Sequence, residues 1–92
     1  MATKTKIQTD TTILESITKL YEIVLYNDDY NTFEHVIDCL VVYCKHDTIQ
    51  AEQCANIVHF NGKCMVKYGT KEVLLPIYQV LLEKGLSVKL EN

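Results

Sequence analysis

The chain has 92 residues, 48% of them hydrophobic and 23% charged, which fits one globular domain and excludes both wholesale disorder and a two-domain enzyme. Nine basic against twelve acidic residues give a formal charge of −3 at pH 7, so no strong positive field gathers phosphates. Nucleic acid is therefore not expected as a partner, and the mild acidity favours a cationic one.

The longest apolar runs, such as Cys39–Val42 and Val73–Leu75, are far too short to span a membrane. Residues 1–19 contain lysines but neither the apolar core nor the cleavage pattern of a signal peptide, so a cytoplasmic protein is expected. Cys39, Cys44, Cys54 and Cys64 lie in or beside apolar segments and match no compact zinc pattern. They read as reduced, buried thiols. No cofactor, metal or membrane contact is expected, and nothing signals oligomerisation, so a monomer is expected.

Residues 1–19 are dominated by Thr, Lys, Gln, Asp and Ser and read as a flexible extension, with residues 20–92 as the domain. Tyr21–Tyr26 is rich in β-branched and aromatic residues and is nearly apolar throughout, which predicts a central strand. Asn27-Asp28-Asp29-Tyr30-Asn31 ends it, because Asn and Asp side chains bond nearby backbone amides. Phe33, Val36, Ile37, Leu40, Val41 and Cys44 follow the three-four spacing of one helical face and predict a helix over about 32–45. Asn31 followed by Glu34 fits a capping box for that helix.

Asp47 or Thr48 starts a second helix, whose stripe Ala51, Cys54, Ala55 and Val58 is built mostly from small residues. It should end near His59 or Phe60, with Gly62 in the turn. Lys63–Tyr68 reads as a strand. A third helix covers most of 71–84, with Pro76 either distorting its first turn or starting its regular part. Gly85 ends it, and Leu86–Leu90 alternates as a closing strand. The expected class is α+β: a two-layer sandwich in which three helices cover a mostly antiparallel three-stranded sheet.

Asn27, Asp28, Asp29 and His59 form the polar cluster that stands out. The plainer reading is a hydrogen-bonded turn plus a histidine on the last carbonyls of a helix. The functional reading is recognition of a cation. Asn27, Asp28 and a neutral His59 supply three acceptors, which is what a primary ammonium needs. A peptide α-amine, with a pKa of about 7.7–8, is mostly protonated near pH 7. A metal site on Asp28, Asp29, His35 and His59 lacks ligand spacing. No nucleophile-and-base pair is placed together, and none of the three glycines lies in a phosphate loop. Tyr21, Tyr26, Tyr43 and Tyr68 lack the basic groove of a base-stacking surface.

Asn27-Asp28-Asp29-Tyr30 after an apolar strand, Phe33-Glu34-His35-Val36-Ile37, Val58-His59-Phe60-Asn61-Gly62-Lys63, Thr70-x-Glu72 and Leu86–Glu91 together resemble the ClpS adaptor family over about residues 20–91. The resemblance implies a non-catalytic adaptor that binds N-degrons, the destabilising N-terminal residues of substrate proteins. It delivers them to a Clp-family AAA+ unfoldase, docking on that enzyme's N-terminal domain. Residue by residue, it implies that Asn27, Asp28 and His59 hold the substrate's α-amino group, with Asp29 and Asn31 supporting. Phe33, Val36, Ala55, Val58 and Leu86 would form the side-chain pocket, and Glu72 would dock the unfoldase. Many family members carry methionine at the position of Ala55, so alanine implies a roomier, less discriminating pocket. Ile77 stands where the family often has a lysine, which alters the docking contact. The family's N-terminal extension assists transfer into the unfoldase channel, and residues 1–19 match it in placement and character.

Overall fold

The computed structural model describes residues 19–92. The expected N-terminal extension, residues 1–19, lies outside the described residues apart from Lys19. The elements in chain order are β1 (Tyr21–Tyr26), α1 (Phe33–Tyr43), α2 (Thr48–Asn61), β2 (Lys63–Gly69), α3 (Lys71–Glu83) and β3 (Val88–Glu91).

β1 is the middle strand of a sheet ordered β2-β1-β3, antiparallel to both neighbours. This central place explains its apolar run: Ile23, Val24 and Leu25 are all buried. α3 packs on all three strands, α2 packs on β2, and α1 fills the space between α2 and α3. Ile23, Leu25, Leu40, Leu74 and Leu81 are the largest fully enclosed apolar side chains between the layers. The closing strand is shorter than its alternation suggests. Leu86 and Ser87 precede it, because the chain is still leaving α3 through Gly85 at φ 86°.

The register between β1 and β2 breaks once. Ile23 faces Lys67, Val24 faces Met65, and Val66 is the extra residue of a bulge. A bulge leaves backbone groups without a ladder partner. Here the Val66 carbonyl accepts from His46 Nε2 at 2.6 Å, from a ring that is 6% exposed. A carbonyl only accepts, so this bond requires a hydrogen on Nε2, and the buried Nδ1 has no hydrogen-bond partner among the described residues.

The helix ends follow local chemistry, with one change from the sequence expectation. Thr32, not Asn31, caps α1: its hydroxyl accepts from His35 N at 3.1 Å. The Asn31 side chain is taken by the loop before the helix. Asp47 caps α2 as the sequence implies, accepting from Gln50 N at 2.7 Å. Gly62 ends α2 in the left-handed region at φ 95°, a geometry a side chain would strain. After α1 that role falls to Lys45, at φ 61°. α3 starts at Lys71 and runs through Pro76, its sixth residue. Glu72 and Pro76 are both exposed, so the hydrogen bond that proline forfeits lies on the solvent side.

Candidate functional site

A cavity of about 280 Å³ opens where the C-terminal end of β1 meets α1 and α2. Its lining is Leu25, Tyr26, Asn27, Asp28, Asp29, Asn31, Phe33, Val36, Ala55, Val58 and His59. All three expected amine-binding residues, both expected supporting residues and four of the five expected pocket residues are therefore brought together. The stripe on α2 explains part of this. Ala55 and Val58 are 4% and 6% exposed, so the helix turns its small-residue face inward, and these short side chains line the hole. α1 contributes Val36 one turn in, with Phe33 at the mouth, 40% exposed.

Leu86 is the exception. It is buried in the common core at 3% exposure, and it borders a separate depression with Tyr26, Leu82, Ser87, Val88 and Lys89. The turn through Gly85 carries the Leu86 side chain under α3, where its own amide donates to the Leu81 carbonyl at 3.1 Å. Leu25 and Tyr26 line the cavity in its place. Both sit at the end of the apolar strand, a position that composition attributes to the core.

The polar half of the site is built around Asp28. Its Oδ1 accepts from the backbone of Tyr30 at 3.0 Å and of Asn31 at 2.9 Å. Its Oδ2 accepts from Asn31 Nδ2 at 2.7 Å and from Ser87 Oγ at 2.7 Å. Partial burial pushes this carboxyl's pKa up. The bonds from Ser87, Asn31 and Tyr30 more than offset that and hold it below the ordinary carboxylate value. Asp28 is thus a fixed negative charge near neutral pH. Asn31 also donates from Nδ2 to the Gly85 carbonyl at 2.9 Å, tying the loop after β1 to the end of α3. Asn31 thereby supports the site by holding Asp28, in place of capping the helix.

Ser87 was not foreseeable from the sequence. It lies 59 residues from Asp28, and nothing in the Leu86–Glu91 block points to a bond with that carboxylate. Asn27 follows β1 directly, and its amide donates to the Gly62 carbonyl at 2.9 Å, which joins the loop to the end of α2. His59 is exposed on the last turn of α2. Its ring stands edge-on to Phe33 at 6.4 Å and to Phe60 at 4.9 Å, so aromatic neighbours set its orientation. The cavity therefore has one anchored charge and two exposed polar side chains, Asn27 and His59, beside the apolar Val36, Ala55 and Val58.

Other features of the chain have structural explanations. Cys39 lies 3.7 Å from His35 Nε2, but that nitrogen is 2.8 Å from the Lys84 carbonyl and must carry the hydrogen. Burial pushes the Cys39 thiol up, the opposite of an activated nucleophile. Three tyrosine faces are covered by the chain's own lysines: Tyr21 by Lys19 and Lys71, Tyr43 by Lys84 and Tyr26 by Lys89. Among the described residues no group of three or more His, Cys, Asp or Glu side chains is arranged to hold a metal. No described helix is long and apolar enough to cross a membrane. Glu72 is exposed in the first turn of α3, and Ile77 is partly buried against the core.

Residues 16–88 match the family model described as ATP-dependent Clp protease adaptor protein ClpS. The ClpS adapter protein of Thermosynechococcus vestitus is 36% identical over 69 residues, covering 74% of this chain and 73% of its own length. That of Synechocystis sp. is 38% identical over 69 residues, covering 74% of this chain and 70% of its own. The structure of Agrobacterium tumefaciens ClpS2 bound to L-phenylalaninamide aligns with a TM-score of 0.67 at 22% identity, covering 78% of this chain and 94% of that one. At that identity the structural likeness shows the fold. These matches define the class, adaptor proteins of the ATP-dependent Clp protease. The chain belongs to the ClpS family.

Proposed function

We propose that this adaptor binds the N-terminal residue of substrate proteins and delivers them to a Clp-family AAA+ unfoldase. In this reading Asn27 and His59 accept hydrogen bonds from the substrate's ammonium, and Asp28 supplies the charge. The side chain of the first residue enters the hole between Val36, Ala55 and Val58, with Phe33 at its mouth. The observation that supports the reading is that those three polar residues line the same 280 Å³ cavity as Phe33, Val36, Ala55 and Val58. Its size, at the small end of ligand pockets, suits a single side chain. The phenylalaninamide bound to the Agrobacterium protein is a ligand of the same chemistry, a free α-amine beside a large apolar side chain.

Recognition then requires two features of one residue. The ammonium separates a chain terminus from an internal position, and the cavity separates large apolar side chains from small ones. Burying a Leu or Phe side chain contributes about 1.5–3 kcal/mol, and each charge-assisted hydrogen bond contributes about 1.5–3 kcal/mol. Together they give roughly −8 kcal/mol, micromolar-class binding. That is suitable for a carrier that must release its cargo. Glu72, exposed on α3, is the docking residue for the unfoldase's N-terminal domain, and residues 1–19 assist the transfer.

Fluorescence anisotropy with two labelled peptides tests the reading. One begins with free Leu or Phe, and the other is identical but N-acetylated. Micromolar binding of the free form alone is expected. Equal binding of both, or binding of neither, overturns it.

A further inference from the structure

Behind the cavity, α2 and β2 bring two cysteines together. Cys64 Sγ lies 3.4 Å from Cys54 Sγ, within hydrogen-bond distance, and both residues are free thiols. Cys54 is 8% exposed, while Cys64 is only partly buried. Cys54 also borders a second cavity of about 270 Å³, lined by Cys44, His46, Gln50 and Val66 among others, which gives solvent a route to its side of the pair. The placement relative to the amine-side cavity is specific. Cys54 directly precedes Ala55 on α2, and Cys64 faces Leu25 across the β1–β2 ladder. Ala55 and Leu25 both line the cavity.

We propose that Cys54 and Cys64 form a modification site, a dithiol that a peroxide oxidises to an intramolecular disulfide tethering α2 to β2 behind the cavity wall. The Cys64 thiolate attacks one peroxide oxygen. The O–O bond breaks, Cys64 becomes a sulfenic acid, and the departing hydroxide takes the thiol's proton as water. The Cys54 sulfur then attacks the Cys64 sulfur. The S–S bond forms, the S–O bond breaks, and the leaving hydroxide takes the Cys54 proton as a second water. Two thiols are oxidised by two electrons and the peroxide is reduced.

The order of events follows from the surroundings. Burial, and next the hydrogen bond with Cys64, push the Cys54 thiol up to about 12, so the more accessible Cys64 meets the peroxide first. Cys54 then reacts because it is already in contact with its target. The sulfurs must close from 3.4 Å to about 2.05 Å, a movement within reach of side-chain rotation. Cys39 and Cys44 are buried in the core.

The test uses the full reduced chain treated with hydrogen peroxide, alkylated after unfolding, and mapped with trypsin without reduction. Cleavage after Lys45, Lys63 and Lys67 places Cys54 and Cys64 in separate peptides, 46–63 and 64–67. The expected product is these two peptides joined, two hydrogens lighter than their sum and separated by a thiol reductant. Cys64→Ser should abolish it and leave Cys54 alkylated. Cys54→Ala should leave a sulfenic acid on Cys64 that dimedone traps. Amide exchange over residues 54–62 should slow several-fold on oxidation. A Cys64 sulfinic acid or a Cys64–Cys64 dimer in the wild-type chain, with Cys54 still alkylated, overturns the site. Unchanged exchange in the joined product overturns the tether. These readouts are independent of peptide binding, so they stand or fall separately from the proposed function.

Discussion

Ser87→Ala removes one of the four hydrogen bonds that hold the Asp28 carboxylate. A hydrogen bond to a charged group contributes about 1.5–3 kcal/mol, and partial exposure of this carboxylate screens it toward the bottom of that range. The expected loss of stability at pH 7 is therefore about 1.5 kcal/mol. Its pH dependence follows from the direction of the Asp28 shift. The folded-state pKa lies below the unfolded one, so the stabilisation is fully present above the unfolded value and disappears as pH falls through the folded value. The difference between wild type and Ser87→Ala should shrink toward zero in strong acid. Urea unfolding curves at pH 7 and near pH 2.5, read at constant m, measure it. A difference that is absent at pH 7, or that persists undiminished in acid, would falsify the account of Asp28 as an anchored charge. The same variant should weaken the binding of a free-Leu peptide while leaving the N-acetylated control unchanged. Without Ser87, the Asp28 carboxylate loses its direct bond to the segment that leads into β3.

The remaining predictions concern specificity and backbone strain. With Ala55 the cavity should accept Leu, Phe, Tyr and Trp with only relaxed rejection of Ile and Val; affinities for Leu- and Ile-ended peptides already differing by hundreds-fold would refute this. Ala55→Met should then sharpen the preference by about 1–3 kcal/mol, read as a larger ratio of the two dissociation constants. An unchanged ratio would mean that Ala55 does not set the cavity's shape. Lys45→Gly should raise stability by about 1 kcal/mol, because Lys45 holds a left-handed backbone angle of 61° that glycine adopts without strain. Thermal unfolding at matched pH checks this, and a lower Tm would contradict it.

The elements were legible because their signals are local. Tyr21–Tyr26 announces a buried strand by its β-branched and aromatic run, and α2 announces itself by Asp47 and the small-residue stripe. Asn27, Asp28 and His59 were legible as a group through their resemblance to a family pattern. Their plain chemistry fits a turn and a helix end equally well. Asn31 shows where local reasoning fails: its spacing to Glu34 fits a cap, yet Thr32 performs that task. A cap would need the Asn31 side-chain oxygen to accept from a helix amide, but its Nδ2 donates to Asp28 Oδ2 and to the Gly85 carbonyl, and these long-range bonds hold the side chain in the loop.

The sequence by itself determined the order of strands and helices, the turn after β1, the small face of α2 and the family. The elements and turns depend on residues within about one helical turn or a few strand positions of one another, and the family on several such local blocks spaced along residues 20–91. The tertiary structure decided what the ends of the chain do to its middle. By setting β3 beside β1, it carries Ser87 across 59 positions and Gly85 across 54 to anchor Asp28 and Asn31. The turn at Gly85 sends Leu86 into the core and away from the cavity. A bulge at Val66 turns a carbonyl toward His46, and the packing of α2 on β2 sets Cys54 against Cys64. Sequence periodicity specifies which face of an element is buried. Which side chain of another element meets it depends on register and crossing geometry, and these are properties of the assembled layers.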